Sequence, residues 1–320
     1  MEILLLTGGT GLIGSALVHH IHALGKSYEM IVASRSAKRI DNKSGGNIKY
    51  IEYDAMTPVL FKFSADIIVH AASPASSELF VEKPVETMLA NVYGVKELLD
   101  YAVRCRAKKF VYVSSSEVYG KAQPRPEGYR EGDYGFVDVL DVRSSYPMGK
   151  RAAETLCVSY AKEYGLNVSI VRPGHIYGPT ASPKDRRVSS AFAWAAARGE
   201  LLVLKSDGAS LRSYTHADDC ASAIMTVVKK GQPGEAYNIA NRDGVCSIRQ
   251  MAEIMADEGG VELQMNVANA EERGAFNPMN NSCLDPSKLE SLGWRGKIGY
   301  EEGFRQTVRD IKERIRNGAI

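Results

Sequence analysis

The sequence predicts an α/β fold in which a doubly wound parallel sheet is joined to a smaller α+β cap. Two observations support this. Apolar strand-like runs alternate with helical patterns through the first half of the chain, beginning with EILLLTG and a helix from Leu12. Beyond about Pro179, short helical segments are separated by loops rich in Gly, Pro and Asn. Alternating strands and helices imply parallel pairing through right-handed crossovers.

The apolar runs can be assigned in chain order. The predicted strands are EILLLTG, EMIVASR, IKYIEYD, ADIIVHAA, KKFVYVSSS and NVSIVRPG, and long helices are predicted over VETMLANVYGVKELLDYAVRC and from Tyr146 onward. Such apolar runs bounded by turn residues are typical of buried strands. EAYNIAN is expected to return a strand to the first unit. We therefore expect a first domain over residues 1–178, a returning segment near 212–242 and a cap mainly over 179–320.

Composition narrows the possible partners. With 320 residues and 44% hydrophobic content, the chain can bury a substantial core. The formal charge of +2, with basic and acidic residues interspersed, disfavours nucleic acid and membrane surfaces as partners. No window approaches the roughly 18 apolar residues of a membrane span. The N-terminal run also lacks the basic leader of a signal peptide. Five widely spaced cysteines without metal-ligand spacing predict no metal site and a cytoplasmic protein.

A glycine-rich stretch follows the first predicted strand. TGGTGLIG places Gly8, Gly11 and Gly14 at the junction between that strand and the next helix. Glycines there permit a tight turn and let the backbone approach a pyrophosphate held at the helix N-terminus. The motif therefore predicts dinucleotide binding by a Rossmann-type unit.

The residues after the second and third strands bear on the choice of dinucleotide. NAD binders usually carry an acidic residue after the second strand, whereas this chain has Ser34 and Arg35. A guanidinium can pair with a 2′-phosphate, which favours NADP(H) over NAD(H). A surface arginine stacked on adenine is the alternative. Asp54 can accept a hydrogen bond from the adenine amino group.

A tyrosine and a lysine lie four residues apart at the start of a predicted helix. Tyr146 and Lys150 would project from one side of that helix, one turn apart. A nearby cation favours phenolate over phenol. The serines of VSSSEVYG end another strand, at the edge of the sheet where ligands bind. Together these residues predict a hydroxyl that orients a substrate oxygen, a phenol that moves its proton, and a lysine that binds nicotinamide ribose and lowers the phenol pKa.

Eight motifs extend the argument over nearly the whole chain: TGGTGLIG, HAASPAS, ANVYGVKELL, SSSEVYG, YPMGK, RPGHIYGP, LRSYTHADD and LDPSKLESLGW. On these motifs the sequence resembles the extended short-chain dehydrogenase/reductases, specifically the nucleotide-sugar epimerase, dehydratase and decarboxylase group. The resemblance implies a catalytic triad of Ser115, Tyr146 and Lys150, to which we add Glu117 as a catalytic candidate. The cofactor-binding candidates are Gly8, Gly11, Gly14, Ser34, Arg35, Asp54, Ala71, Asn91, Tyr146 and Lys150.

The same resemblance implies a nucleotide-diphosphate sugar as substrate. In that group the arginine of LRSY, here Arg212, typically meets the diphosphate, and Arg273 is a candidate for a second clamp. His175 is a candidate contact to sugar or phosphate, with a loop histidine satisfied by the backbone as the alternative.

The resemblance leaves the reaction open. Family dehydratases commonly carry an Asp-Glu pair where this chain has Ser116 and Glu117, which disfavours dehydration. The Ser-Glu pair, ASPAS and GKRAAET resemble UDP-glucuronate decarboxylases, although that subgroup usually has Asn in place of His175 and Arg in place of Thr180. A 4-epimerase would use the same triad, and an NADPH-dependent reductase of a keto sugar suits Arg35. A non-catalytic dinucleotide-binding protein is a remote alternative, because such relatives tend to lose the Tyr/Lys pair.

The two long helices also predict an assembly. The segments ETMLANVYGVKELLDYAV and YPMGKRAAETLCVSYAKEY carry apolar residues beyond one narrow stripe, which indicates a second buried face. The resemblance implies a homodimer that pairs these helices in a four-helix bundle.

Overall fold

Seven parallel strands form the main sheet of the computed structural model, which describes residues 1–25, 27–37, 47–74, 76–123, 125–266, 279 and 281–318. With strands numbered in chain order, these seven are β1 (Glu2–Thr7), β2 (Tyr28–Ser34), β3 (Ile48–Glu52), β4 (Ile67–His70), β5 (Lys109–Val113), β6 (Val168–Pro173) and β10 (Ala236–Ile239). Their spatial order is β10-β6-β5-β4-β1-β2-β3. The order reverses between β1 and β4, and ligands of doubly wound sheets bind at such a switch point.

Shorter strands and helices complete the described chain. The strands are β7 (His175–Tyr177), β8 (Leu202–Leu204), β9 (Leu211–His216), β11 (Val245–Ser247) and β12 (Leu263–Met265). The helices are α1 (Leu12–Ala23), α2 (Ser77–Glu82), α3 (Pro84–Arg104), α4 (Ser145–Tyr164), α5 (Val188–Arg198), α6 (Ala217–Lys230), α7 (Ile248–Gly259), α8 (Ser287–Glu290) and α9 (Tyr300–Arg316). Short 3-10 turns cover Ser116–Tyr119, Val142–Ser144 and Arg242–Gly244.

Two apolar layers enclose the main sheet, because successive side chains of a strand point to opposite faces. Leu4 and Leu6 of β1 pack into the layer that contains α1 and α6. Leu5 packs into the opposite layer, with Leu98 of α3 and Cys157 of α4. Burial on both faces explains why the central strands are almost continuously apolar.

The chain returns to the main sheet after β9. Helix α6 packs against α1, and β10 pairs in parallel with β6. Strand β9 instead joins β7 and β11 in a three-stranded sheet. A separate core forms between α5, α7 and α9, around Trp194, Met251 and Phe304. The domain boundaries expected from the sequence stay a prediction.

Helix α4 is anchored to the sheet by buried polar contacts. Arg172 of β6 donates to both carboxylate oxygens of Glu154, at 2.9 and 2.6 Å. Its remaining hydrogen bonds include the Tyr119 hydroxyl and the carbonyl of Glu131. On the other side of the helix, Gly149 lies against Asn91 of α3, where an added Cβ would come within 3.1 Å. Within the described part of the chain, no helix has both the length and the apolar character that a bilayer crossing requires.

Candidate active site

The glycine-rich turn after β1 is packed too tightly for a side chain at Gly8, Gly9 or Gly14. Gly8 has a φ of +75°, and an added Cβ would lie 2.6 Å from the Ala72 amide nitrogen. A Cβ on Gly14 would lie 2.2 Å from the Gly8 carbonyl oxygen. At Gly11 the nearest atom is 3.4 Å away, so the fold itself hardly requires glycine there. The open space beside Gly11 therefore fits the close approach of a ligand.

The end of β2 and the start of α1 also fit a dinucleotide. Gly11 is the N-cap of α1, and none of the described side chains caps this end of the helix. Its first amides are thus available to a pyrophosphate. Ser34 is buried at the end of β2, and its Oγ has no hydrogen-bond partner among the residues that the structure describes. Arg35, the next residue, is exposed.

Three further cofactor candidates lie after β3, after β4 and in helix α3. Ala71 follows β4 at the switch point, and its amide donates to the Thr7 carbonyl at 3.1 Å. Asp54 follows β3, and its Oδ1 accepts from the Met56 amide at 3.0 Å. Asn91 is buried in α3, where its Nδ2 donates to a carbonyl one turn earlier at 2.8 Å. The Asn91 Oδ1 accepts from the Ser73 hydroxyl at 2.9 Å, so this amide supports the loop after β4.

The three residues of the predicted triad meet at the carboxyl ends of the strands. Tyr146 and Lys150 lie one turn apart in α4, and both are buried. The Lys150 Nζ donates to the Val113 carbonyl at the end of β5 at 2.9 Å, and it lies 5.7 Å from the centre of the Tyr146 ring. The Ser115 side chain lies close enough to the phenol of Tyr146 to lower its pKa. This arrangement can orient an oxygen of a bound molecule and transfer its proton.

The electrostatics of the triad differ from the sequence-based expectation. Burial raises the pKa of Tyr146 to about 12, and the charge of Glu117 acts in the same direction. Burial also lowers the pKa of Lys150 to about 7. We expected the lysine to lower the phenol pKa, but desolvation outweighs the effects that favour phenolate. The pKa-lowering effects come from the Ser115 side chain and from two arginines, Arg187 and Arg143.

Sequence reasoning missed a cluster beside Tyr146. Glu117 accepts hydrogen bonds from Nη1 and Nη2 of Arg143, at 2.8 and 2.9 Å. The ring of Phe80 is stacked on that of Tyr146, with centroids 4.1 Å apart and an interplanar angle of 6°. The guanidinium carbon of Arg143 lies 4.9 Å from the centre of the Phe80 ring. In the sequence, only the short distance between Arg143 and Tyr146 indicates that this arginine could lie near the phenol.

Two arginines, Arg187 and Arg212, lie near His175, and we call these two arginines the cationic wall. His175 begins β7, and Arg212 is buried in the neighbouring strand β9. Burial lowers the pKa of His175 to about 3, with smaller contributions from the charges of Arg212 and Arg187. Arg187, which the sequence analysis did not single out, donates from Nε to Asp185 at 3.0 Å. Arg273, the predicted second clamp, lies outside the described residues.

Comparison with known proteins agrees with this geometry. The model of the NAD dependent epimerase/dehydratase family matches residues 4–240. The chain belongs to this family. UDP-glucuronic acid decarboxylase 6 of Arabidopsis thaliana is 33% identical over 320 residues, covering 98% of this chain and 89% of the relative.

Two solved structures of epimerase/dehydratase relatives share the fold over nearly their whole length. A Thermus thermophilus UDP-glucose 4-epimerase in complex with NAD has a TM-score of 0.82 and 25% identity, covering 99% of this chain and 100% of the other. A dTDP-glucose 4,6-dehydratase of Streptomyces venezuelae with NAD has a TM-score of 0.83 and 26% identity, covering 97% of each chain. The predicted family, the doubly wound fold and the class of nucleotide-sugar-modifying enzyme acting by hydride transfer are thereby confirmed.

Burial of Lys150 predicts a pH-dependent cost in stability. In the folded protein the pKa of Lys150 is about 7, below its ordinary value of 10.5. Between pH 7 and pH 10.5 the unfolded chain therefore binds more protons than the folded protein, and the free energy of unfolding rises with pH. We expect Lys150→Met to be more stable than the wild type by at least about 1 kcal/mol near pH 6, with the difference shrinking toward pH 10. Urea denaturation across this range measures it.

The matched control is Lys229→Met, which removes an exposed lysine of α6. This control should show no comparable pH-dependent gain. A stability difference between Lys150→Met and the wild type that stays constant with pH would contradict the assignment.

Proposed function

We propose that the protein oxidises and reduces a sugar carbinol of a nucleotide-diphosphate sugar, with epimerisation or decarboxylation as the net reaction. The observation that carries this proposal is the meeting of Ser115, Tyr146 and Lys150 beside the dinucleotide-type turn. Gly8, Gly11 and Ser34 would hold the dinucleotide, whose nicotinamide supplies a hydride acceptor and donor when bound.

Each member of the triad then has one task. Ser115 orients the reacting oxygen of the sugar by a hydrogen bond. Tyr146 takes the proton from that oxygen during oxidation and returns it during reduction. Lys150 contacts the nicotinamide ribose and, when protonated, favours the phenolate form of Tyr146. Tyr146 and Lys150 are buried, and the Phe80 ring covers one face of the phenol, which limits the access of water to the proton.

The cationic wall supports a diphosphate-linked substrate. Arg212 and Arg187 both lower the pKa of His175, so both guanidinium groups lie near this imidazole, although Arg187 is also paired with Asp185. Two guanidinium groups suit a diphosphate, which can accept several charge-assisted hydrogen bonds. Arg273 stays a prediction as a further clamp. A solved UDP-glucose 4-epimerase of Thermotoga maritima that carries UDP-glucose, 26% identical to this chain, supports the substrate class.

An NADPH-dependent reductase of a keto sugar is the alternative to this proposal. The likeness to decarboxylases and epimerases supports a self-recycling enzyme that keeps its NAD(H). Arg35 instead favours a reductase that consumes NADPH. Two measurements on the purified protein distinguish these enzymes. A self-recycling enzyme should retain NAD(H) through purification. A reductase should oxidise added NADPH in the presence of a keto sugar.

We also propose a cytoplasmic location. All five cysteines of the described chain are free thiols, and three of them are buried. Free buried thiols are typical of proteins that fold under reducing conditions.

The first prediction of this proposal concerns Tyr146. Because its phenol transfers the proton, Tyr146→Phe should lower kcat at least about a hundredfold with nucleotide sugars while leaving cofactor affinity nearly unchanged. Turnover assays combined with dinucleotide titration test this. Near-normal turnover would contradict the assignment.

A second prediction concerns the choice of dinucleotide. Arg35 is exposed beside Ser34 and can pair with a 2′-phosphate, a contact worth about 1.5–3 kcal/mol, or roughly ten- to a hundredfold in affinity. We expect NADPH to bind more tightly than NADH, and Arg35→Asp to reverse the order. Titration calorimetry decides. Equal affinities, or a preference for NAD(H), would remove the main argument for a reductase.

A third prediction concerns a homodimer built on α3 and α4. These helices pack against each other and expose apolar side chains away from the sheet, among them Val85 and Leu89 on α3 and Val158 on α4. An exposed apolar face of this kind favours a second copy, as in many symmetric oligomers. Light scattering at micromolar concentration should give twice the chain mass, and a monomer mass would refute the dimer.

A further inference from the structure

Four residues, each in contact with the next, lie around the Tyr146 side chain. Ser115 lies near the phenol, whose pKa it lowers, and its hydroxyl accepts from the Glu117 amide at 3.2 Å. Glu117 is held by Arg143, Arg143 lies over Phe80, and Phe80 is stacked on Tyr146. We propose that Phe80, Arg143 and Glu117 are positioning residues for Tyr146, and that Glu117 acts through Arg143 rather than by transferring a proton itself. This inference rests on the proposed function of Tyr146.

Phe80 makes the direct contact. It is the buried residue of the short helix α2, with 3% of its surface exposed. A nearly parallel ring at 4.1 Å covers one whole face of the phenol, which excludes water from that face and prevents the ring from changing its rotamer. The Ser145 hydroxyl donates to the Phe80 carbonyl at 3.0 Å, so the backbone of α2 is tied to the first turn of α4.

Arg143, which is paired with Glu117, also contacts the Phe80 ring. The Arg143 side chain is 5% exposed and that of Glu117 16%, so water screens their interaction weakly. The two hydrogen bonds fix the plane of the guanidinium, and its carbon lies 4.9 Å from the centre of the Phe80 ring. Asp141 accepts from the Arg143 amide at 2.9 Å, which stabilises the turn that carries this arginine.

The same pair argues against proton transfer by Glu117. Both of its carboxylate oxygens accept from a guanidinium, a group that remains protonated in proteins. To take up a proton, the carboxylate would have to give up a charge-assisted hydrogen bond. Glu117 lies two residues after Ser115, so its contact with Arg143 fixes this arginine relative to the strand end that carries Ser115.

The first test is a double-mutant cycle on kcat with Glu117→Gln and Arg143→Met. If Glu117 acts through Arg143, each single variant should lose about tenfold or more in kcat, and the double variant should be within about threefold of the worse single variant. The proposal is overturned if Glu117→Gln costs as much in the Arg143→Met background as in the wild type and also removes a limb of the pH profile.

The control for this cycle is Glu290→Gln. Glu290 also forms a pair with an arginine through two guanidinium nitrogens, with Arg242, and this pair lies outside the proposed catalytic and binding groups. Its loss should leave kcat unchanged. A comparable decrease in this control would show that the cycle reports general stability, and the proposal would fail.

The second test needs no turnover. With carbon-13-labelled tyrosine, the NMR signal of Tyr146 is assigned by its absence in Tyr146→Phe, and its pKa is measured by titration. The charged groups that act on this phenol are Glu117, Arg143 and Arg187, and burial raises its pKa to about 12. Removal of the stacked ring in Phe80→Leu should admit water and lower the pKa toward the ordinary value of about 10. Phe80→Tyr should keep the stack and the raised pKa.

Phe63→Leu is the matched control, because it removes a stacked ring of the distant pair Phe61–Phe63. It should leave the Tyr146 titration unchanged. An unchanged titration in folded Phe80→Leu would overturn the positioning role of Phe80. If no nucleotide sugar is turned over while Phe80→Leu still shifts the titration, the proposed function fails and the positioning of Tyr146 stands.

Discussion

The buried pair between Arg172 and Glu154 fixes helix α4 on the sheet, and the geometry of the candidate active site depends on it. Arg172 is 1% exposed, so the two charges must be compensated by contacts inside the protein. Both carboxylate oxygens and all three guanidinium nitrogens have hydrogen-bond partners. Glu154 lies one turn after Lys150 and two turns after Tyr146, so the contact that attaches the helix also sets where both side chains reach the end of β5. Its charge raises the pKa of Lys150 against the effect of burial.

Desolvation acts on both functional groups of this helix and favours their neutral forms. It raises the pKa of Tyr146 and lowers that of Lys150, which is the opposite of what two isolated neighbours would do to each other. The proposed proton transfer would therefore need specific contacts that favour the charged forms. The Ser115 side chain and the arginines near the phenol supply them, while Phe80 preserves the dry environment in which such contacts are strong.

Local patterns in the sequence predicted the parts of the site that depend on one element. The turn at Gly8 and the one-turn spacing of Tyr146 and Lys150 follow from strand and helix geometry, and both lie where the sequence placed them. The pKa directions could not be predicted, because burial depends on several elements that close over the strand ends. For the same reason, the sequence analysis did not single out Phe80, whose stacking depends on how α2 packs against α4.

The loop between β7 and α5 shows where likeness to relatives stops being informative. Thr180 occupies the position at which the decarboxylase-like pattern usually has arginine, and its hydroxyl donates to the Leu12 carbonyl in the first turn of α1 at 3.0 Å. The Thr180 side chain thus connects the loop that leads to Arg187 directly to helix α1, whose N-cap is Gly11. This contact therefore fixes the distance between the dinucleotide turn and the cationic wall without adding a charge to the loop, whereas an arginine at this position would add a third cation.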